Sequence, residues 1–91
     1  MNWIQAQKEF QNYLRIERGL AENTVQNYRL DLQKLIQFLD THQIETTPQK
    51  ISSKELYNFI YEISKTVNAR SQARIISGIK SFFEYLLIED F

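Results

Sequence analysis

Four segments of this chain carry apolar residues at three- and four-residue intervals, and this spacing constrains the fold more than any other feature. It places apolar side chains along one face of a helix, whereas a half-buried strand would need strict alternation. The 91 residues include only two glycines and one proline. We therefore predict an all-α chain. At this length the four helices can share a single core, so we expect one compact domain over residues 1–91.

Capping signals mark the helix boundaries. Asn2 and Ser52, each followed three residues later by a glutamine or a glutamate, predict the starts of the first and third helices. Gly19 predicts the end of the first helix, because glycine adopts the left-handed conformation at no steric cost. The second helix is expected over about residues 21–39 and the fourth over about residues 69–88. Residues 40–50, "DTHQIETTPQK", form a polar connector.

The apolar faces of the last two helices predict part of the core. The third helix is expected to bury Leu56, Phe59, Ile60 and Ile63. The fourth helix is expected to bury Ile75, Ile76, Ile79, Phe82, Phe83 and Leu86.

The sequence offers little material for catalysis or cofactor binding. There is no cysteine, and the one histidine, His42, lies in the polar connector. The two glycines are too far apart for a phosphate-binding loop. We expect no catalytic residue, metal or cofactor in this chain. The start "MNWIQAQKEF" has no basic leader, and no apolar stretch approaches the roughly 20 residues of a membrane span, so we expect a soluble, cytoplasmic protein with no membrane partner.

The fourth helix has a basic face, although the formal net charge of the chain is zero. No acid occurs between Glu62 and Glu84, and that interval carries a charge of +4. Arg70 and Arg74 lie one turn apart on the side opposite the predicted core, with Ser77 beside them. Cations and short donors on one face suit a phosphate backbone. Two arginines on a helix surface are equally compatible with simple solvation.

Small residues accompany this basic face. Ser71 is a further short hydroxyl donor, and Lys80 lies at the flank of the helix. Gly78 costs about 1 kcal/mol relative to alanine in mid-helix, which indicates that something packs closely against it. That neighbour could be a ligand, or simply another helix.

The start of the second helix adds a second group of polar side chains. Thr24, Asn27 and Tyr28 lie near its amino end, with Arg29 beside them. Exposed amide hydrogens and the positive end of the helix dipole favour a phosphate at such a position. Thr24 could instead be only a first-turn residue, and Tyr28 mostly a core residue with its hydroxyl at the edge.

Taken together, "GLAENTVQNYRLDLQKLIQFL" and "NARSQARIISGIKSFFEYLL" resemble the amino-terminal core-binding domain of the tyrosine recombinases, in the Xer-like and phage-integrase group. The resemblance covers essentially the whole chain, and it lies in the order and spacing of Asn23-Thr24, Tyr28 and Asp31-Leu32, followed by the Ser71, Arg74, Ser77, Lys80 and Phe82 series. It implies a four-helix, SAM-like orthogonal bundle.

The resemblance also implies a function. In that family the second and fourth helices face the major groove of double-stranded DNA, and the domain clamps the duplex together with a carboxy-terminal catalytic domain. By position, Thr24, Asn27 and Tyr28 would approach phosphates from the second helix. Arg70, Ser71, Arg74, Ser77 and Lys80 would do so from the fourth, and Arg74 is the best candidate to reach a base.

The same resemblance implies a larger parent protein. The family's catalytic arginine, lysine, histidine and tyrosine are missing, and the chain stops at Phe91, where the linker to the catalytic domain should begin. We therefore expect a DNA-binding piece of a recombinase that works with other protomers in a tetrameric synapse.

The chain departs from the family pattern at three positions. Ala21 stands where a serine cap is usual, Lys80 replaces an arginine, and Leu30 occupies an often basic position. Two other functions stay open. One is a helical protein–protein interaction domain anchored by Leu30 and Trp3. The other is a free-standing helix-turn-helix regulator, which is disfavoured because no short glycine-containing turn joins two helices at the expected spacing.

Overall fold

The computed structural model describes residues 1–89, and within that range all regular structure is helical. The four helices are α1 (Trp3–Ile16), α2 (Glu22–Thr41), α3 (Ser53–Ser64) and α4 (Ala69–Ile88). The predicted all-α bundle is thus confirmed. The predicted limits of α4 agree with those observed, whereas α2 starts one residue later and ends two residues later than predicted. Asp90 and Phe91, the last residues of the predicted domain, lie outside the described residues.

Three of the four helices begin with a side-chain cap. The side chains of Asn2 and Asn68 accept hydrogen bonds from backbone amides three residues on, and Ser52 forms a complete capping box with Glu55. Helix α2 begins after Ala21, which provides no side-chain bond. This is the expected consequence of having alanine at the N-cap, because its side chain has no hydrogen-bond acceptor.

The turn between α1 and α2 is stabilised by a backbone hydrogen bond and an ion pair instead of a helix cap. Gly19 adopts a φ of +61°, and the Leu20 amide donates to the Leu14 carbonyl at 3.0 Å. Arg15 near the end of α1 forms two hydrogen bonds of 2.8 Å to the Glu22 carboxylate in the first turn of α2. This ion pair joins the two helices where α2 has no cap.

The core lies mainly between α1, α2 and α4. Phe10 occupies its centre, with its ring centroid 5.4 Å from that of Phe82 and 6.0 Å from that of Tyr28. The buried apolar residues are Ala6, Phe10, Leu14, Val25, Leu32, Leu35, Leu39, Phe59, Ile75, Ile79, Phe82, Tyr85 and Leu86. Phe59 is the only member from α3.

The predicted buried face of α3 does pack against the core, although only one of its residues is fully buried. Phe59 is buried, but Leu56, Ile60 and Ile63 are only half-buried. Ile76 and Phe83, assigned to the core side of α4, are also half-buried, and they line an apolar groove between α3 and α4. The periodicity identified an apolar face correctly, but no other element among residues 1–89 covers this groove.

The connector before α3 is tied to the start of α1. The Trp3 indole Nε1 donates to the Thr46 carbonyl at 3.0 Å, and its ring stacks on Phe82 at a centroid distance of 6.2 Å. Trp3 is consequently half-buried and occupied by internal contacts. It is therefore poorly suited to anchor a partner protein.

Candidate nucleic-acid interface

A cleft between α2 and α4 brings together residues that the sequence predicted separately. Its walls carry Thr24, Asn27 and Tyr28 from α2 and Arg74 and Ser77 from α4. Thr24, Asn27, Arg74 and Ser77 are exposed, whereas Tyr28 is half-buried with its ring against the core. Five of the nine predicted contact residues thus share one surface, which we call the α2–α4 cleft. Asp31 and Gly78 complete its lining.

An ion pair crosses this cleft. Nη1 of Arg74 lies 2.9 Å from Oδ1 of Asp31 and donates a hydrogen bond to Oδ2 at 3.1 Å. Asp31 is only 3% exposed, whereas the Arg74 side chain is 53% exposed. Burial raises the pKa of Asp31 above its ordinary value, against the opposing effects of Arg74 and Lys34. The arginine expected to reach DNA is therefore held at its guanidinium by a buried carboxylate.

Gly78 explains how the carboxylate fits between the helices. A Cβ added at Gly78 would collide with Oδ2 of Asp31 and come within 3.1 Å of the Asp31 Cβ and Cγ atoms. The close neighbour that the sequence indicated is thus another helix, through its aspartate. The absence of a side chain at position 78 allows a charged group to be buried beside α4.

The other four predicted residues lie outside the cleft. Arg70 is exposed one turn before Arg74, and Lys80 lines the apolar groove on the α3 side of α4. Ser71 is half-buried in the first turn of α4, where its amide donates to Asn68 at 2.8 Å. These three residues share a helix with the cleft residues without lining the cleft itself.

Arg29 belongs to a different surface. Its Nε donates to Gln26 at 2.6 Å, and Gln26 in turn donates to Glu22 at 2.9 Å. The Arg29 carbonyl accepts a hydrogen bond from Gln7 of α1 at 3.3 Å. Arg29 thus extends the polar chain that begins with the Arg15–Glu22 ion pair, along the junction of α1 and α2.

The positive charge of the basic segment is partly compensated. Lys65 pairs with Glu62 at 3.3 Å, and Arg74 pairs with Asp31. Both acids lie outside the interval from which the charge of +4 was counted. Arg70 and Lys80 remain as exposed cations on α4. The basic face is thus narrower than the sequence alone indicated.

Asp31 is the residue whose role sequence reasoning missed, although a signal was present. It follows Tyr28 by three residues and precedes Leu35 by four, so it lies beside the apolar face of α2. A carboxylate at such a position requires a partner, because burying an unpaired charge is costly. The glycine in the middle of α4 was the complementary signal.

The bundle belongs to a known class of protein domain, the small helical domains at the amino end of the phage integrases. The family model for the phage integrase N-terminal SAM-like domain matches residues 8–90. The chain therefore belongs to this family.

Its relatives include several tyrosine recombinases. The chain is 35% identical over 83 residues to tyrosine recombinase XerD of Oceanobacillus iheyensis, and 39% identical over 83 residues to that of Haemophilus influenzae. These alignments cover 90% of this chain but only 28% and 27% of the respective relatives. The chain thus spans little more than a quarter of their length. No solved structure gives a significant match.

Residues 1–89 contain neither a membrane-spanning helix nor a cluster of metal-ligating side chains. No helix in that range is long and apolar enough to cross a bilayer. The same residues contain no group of three or more histidine, aspartate or glutamate side chains placed to hold a metal ion.

Proposed function

We propose that this chain is the DNA-binding N-terminal module of a site-specific tyrosine recombinase. Its α2–α4 face lies against duplex DNA while the remainder of the parent enzyme cleaves and rejoins strands. The observation that carries the proposal is the cleft itself, where Thr24, Asn27, Arg74 and Ser77 present short polar donors and a guanidinium on one exposed surface. Family membership and the names of the relatives support the same function.

The chemistry of this face suits the phosphate backbone. Thr24, Asn27 and Ser77 offer short hydroxyl or amide donors, which allow close approach to phosphate oxygens. Arg70 and Arg74 extend further, and the planar guanidinium can bind a phosphate or a guanine edge through two parallel hydrogen bonds. At the amino end of α2, Ala21 leaves the first-turn amides without a side-chain cap, and such amides favour an anion.

The proposed activity belongs to the parent protein. In this scheme the module clamps the duplex with a catalytic domain outside this chain, and several protomers assemble on the paired sites. Cleavage would proceed in that domain through a tyrosine nucleophile, without a cofactor in this module. Because the substrate is DNA, we place the protein in the cytoplasm.

Titration of the 15N-labelled chain with a 20-base-pair duplex at about 50 mM salt tests the proposal, because low salt favours weak electrostatic binding. We expect amide shifts clustered at residues 23–29 and 70–81. If four phosphates are contacted, the logarithm of the affinity falls with the logarithm of salt with a slope of about −3.6. Shifts confined to other surfaces, or none at millimolar DNA, would refute it.

Single substitutions sharpen this test. Arg70→Ala should weaken binding and reduce the salt slope by about 1, because one phosphate contact is lost. Arg18→Ala is the matched control, since Arg18 is an exposed arginine in the turn after α1 and does not line the cleft. Equal effects of the two substitutions would mean that the chain attracts DNA only through its overall charge.

A helical protein–protein interaction domain is the second candidate. The observation that favours it is the apolar groove between α3 and α4, together with Leu30, which is 47% exposed on α2. This function predicts salt-tolerant association that weakens on substitution of groove residues such as Phe83. Sedimentation in low and high salt distinguishes it from DNA binding.

A further inference from the structure

The α2–α4 cleft contains a charged group that phosphate binding would not by itself require. Asp31 brings a negative charge into a surface proposed to face phosphates, and it is almost completely buried there. Burial raises its pKa, so keeping it ionised opposes folding. A residue that repels the ligand and is costly to bury calls for an explanation beyond packing.

The geometry of the ion pair between Asp31 and Arg74 explains why a carboxylate is buried in the cleft. Asp31 engages Arg74 through Nη1 alone, and more than half of the arginine side chain is exposed. A guanidinium is planar and carries five N–H donors, so fixing one nitrogen restricts the plane of the whole group. The donors on Nε and Nη2 are then presented from a restrained side chain rather than from a freely rotating one.

We propose that Asp31 is a positioning residue for DNA contact, which holds the Arg74 guanidinium in the α2–α4 cleft ready to bind phosphate or a base edge. Gly78 has a part in the same arrangement, because only the absence of a side chain there lets the carboxylate lie between the helices. This inference rests on the proposed function. It assigns a role to a residue that itself makes no contact with DNA.

The direction in which one substitution changes DNA affinity shows whether Asp31 positions Arg74 or acts only through its charge. Asp31→Asn removes a negative charge near the phosphates, so a purely electrostatic face would bind DNA more tightly. If Asp31 positions Arg74, the same substitution weakens binding, because the freed side chain must be ordered on association. The expected loss is about two- to tenfold, the usual cost of immobilising one long side chain. The two explanations therefore predict opposite changes.

The experiment measures the affinity of the full chain for a 20-base-pair duplex at about 50 mM salt, in four variants with folding checked by circular dichroism. Asp31→Asn should weaken binding, whereas Asp40→Asn, which removes an exposed charge from the same helix, should not. In an Arg74→Ala background, Asp31→Asn should cause no further loss of DNA affinity, because Asp31 acts on binding only by holding Arg74. Unchanged or tighter binding by Asp31→Asn, or a loss that persists without Arg74, would overturn the inference.

A second readout needs no DNA. Relaxation of the Arg74 Nε–H group by 15N NMR should show a restrained side chain in the wild type and a mobile one in Asp31→Asn; equal mobility would also overturn the inference. Failure of the proposed function itself would be recognised separately, as an absence of duplex binding by the unsubstituted chain. That result would remove the role of Asp31 in DNA contact as well.

Discussion

Replacing Gly78 with alanine tests how closely α2 and α4 approach at the cleft. In an open mid-helix position this change stabilises a helix by about 1 kcal/mol. Here the added Cβ would meet the Asp31 carboxylate and approach the Asp31 Cβ, which cannot move without its helix. Overpacking of this kind costs about 1–3 kcal/mol. The net expectation is a loss of up to about 2 kcal/mol in the free energy of unfolding.

Gly78→Ala should raise the free energy of unfolding, instead of lowering it, once the Asp31 side chain is removed. In an Asp31→Gly background both the carboxylate and the Cβ at position 31 are absent, and Gly78→Ala should then stabilise the protein by about 1 kcal/mol through helix propensity. The difference between the two backgrounds is the coupling between positions 31 and 78, about 1–3 kcal/mol. Urea denaturation followed by circular dichroism at 222 nm measures all four free energies. A stabilisation of about 1 kcal/mol in both backgrounds would refute the close approach.

Three further predictions concern stability. Ser52→Ala should cost about 1 kcal/mol, because it removes the cap of α3, whereas Ser53→Ala should cost much less; urea midpoints compare the two. Ile79→Ala should cost about 2–5 kcal/mol in the same assay, since Ile79 is a core residue, and a loss below 1 kcal/mol would contradict its burial. The hydrogen bonds from Arg15 lower the pKa of Glu22 to about 2, so the ion pair contributes stability above the ordinary pKa of 4.5 and loses it as the pH falls toward 2. Glu22→Gln should therefore be less stable than the wild type at pH 7 in low salt, and the difference should vanish near pH 2; a difference independent of pH would contradict the ion pair.

The parts of the fold that local chemistry determines were predictable from the sequence. Ser52 with Glu55 marked the start of α3, and the range expected for α4, about residues 69–88, agrees with the observed helix. These signals act within one helix, over three or four positions. The degree of burial along α3 was not predictable in the same way, because the exposure of Ile60 depends on whether another element covers it.

In the candidate site, too, local sequence features predicted some residues, whereas a contact between distant residues was not predictable. Thr24, Asn27, Arg74 and Ser77 were found from charge, polarity and helix position, and the fold brings them into one cleft. The partner of Arg74 was not found, because Asp31 lies 43 positions away in sequence. Pairings over that distance arise from helix packing, which periodicity does not specify.

The position of Trp3 has a practical consequence for all these measurements. It is the only tryptophan in the chain, and it is held between the connector and Phe82. Its surroundings, which include Ile36 and Lys50, share no residue with the α2–α4 cleft. Its fluorescence emission should therefore shift to longer wavelength when the bundle unfolds and change little when a duplex occupies the cleft. The protein thus carries an intrinsic optical probe that separates loss of structure from loss of ligand.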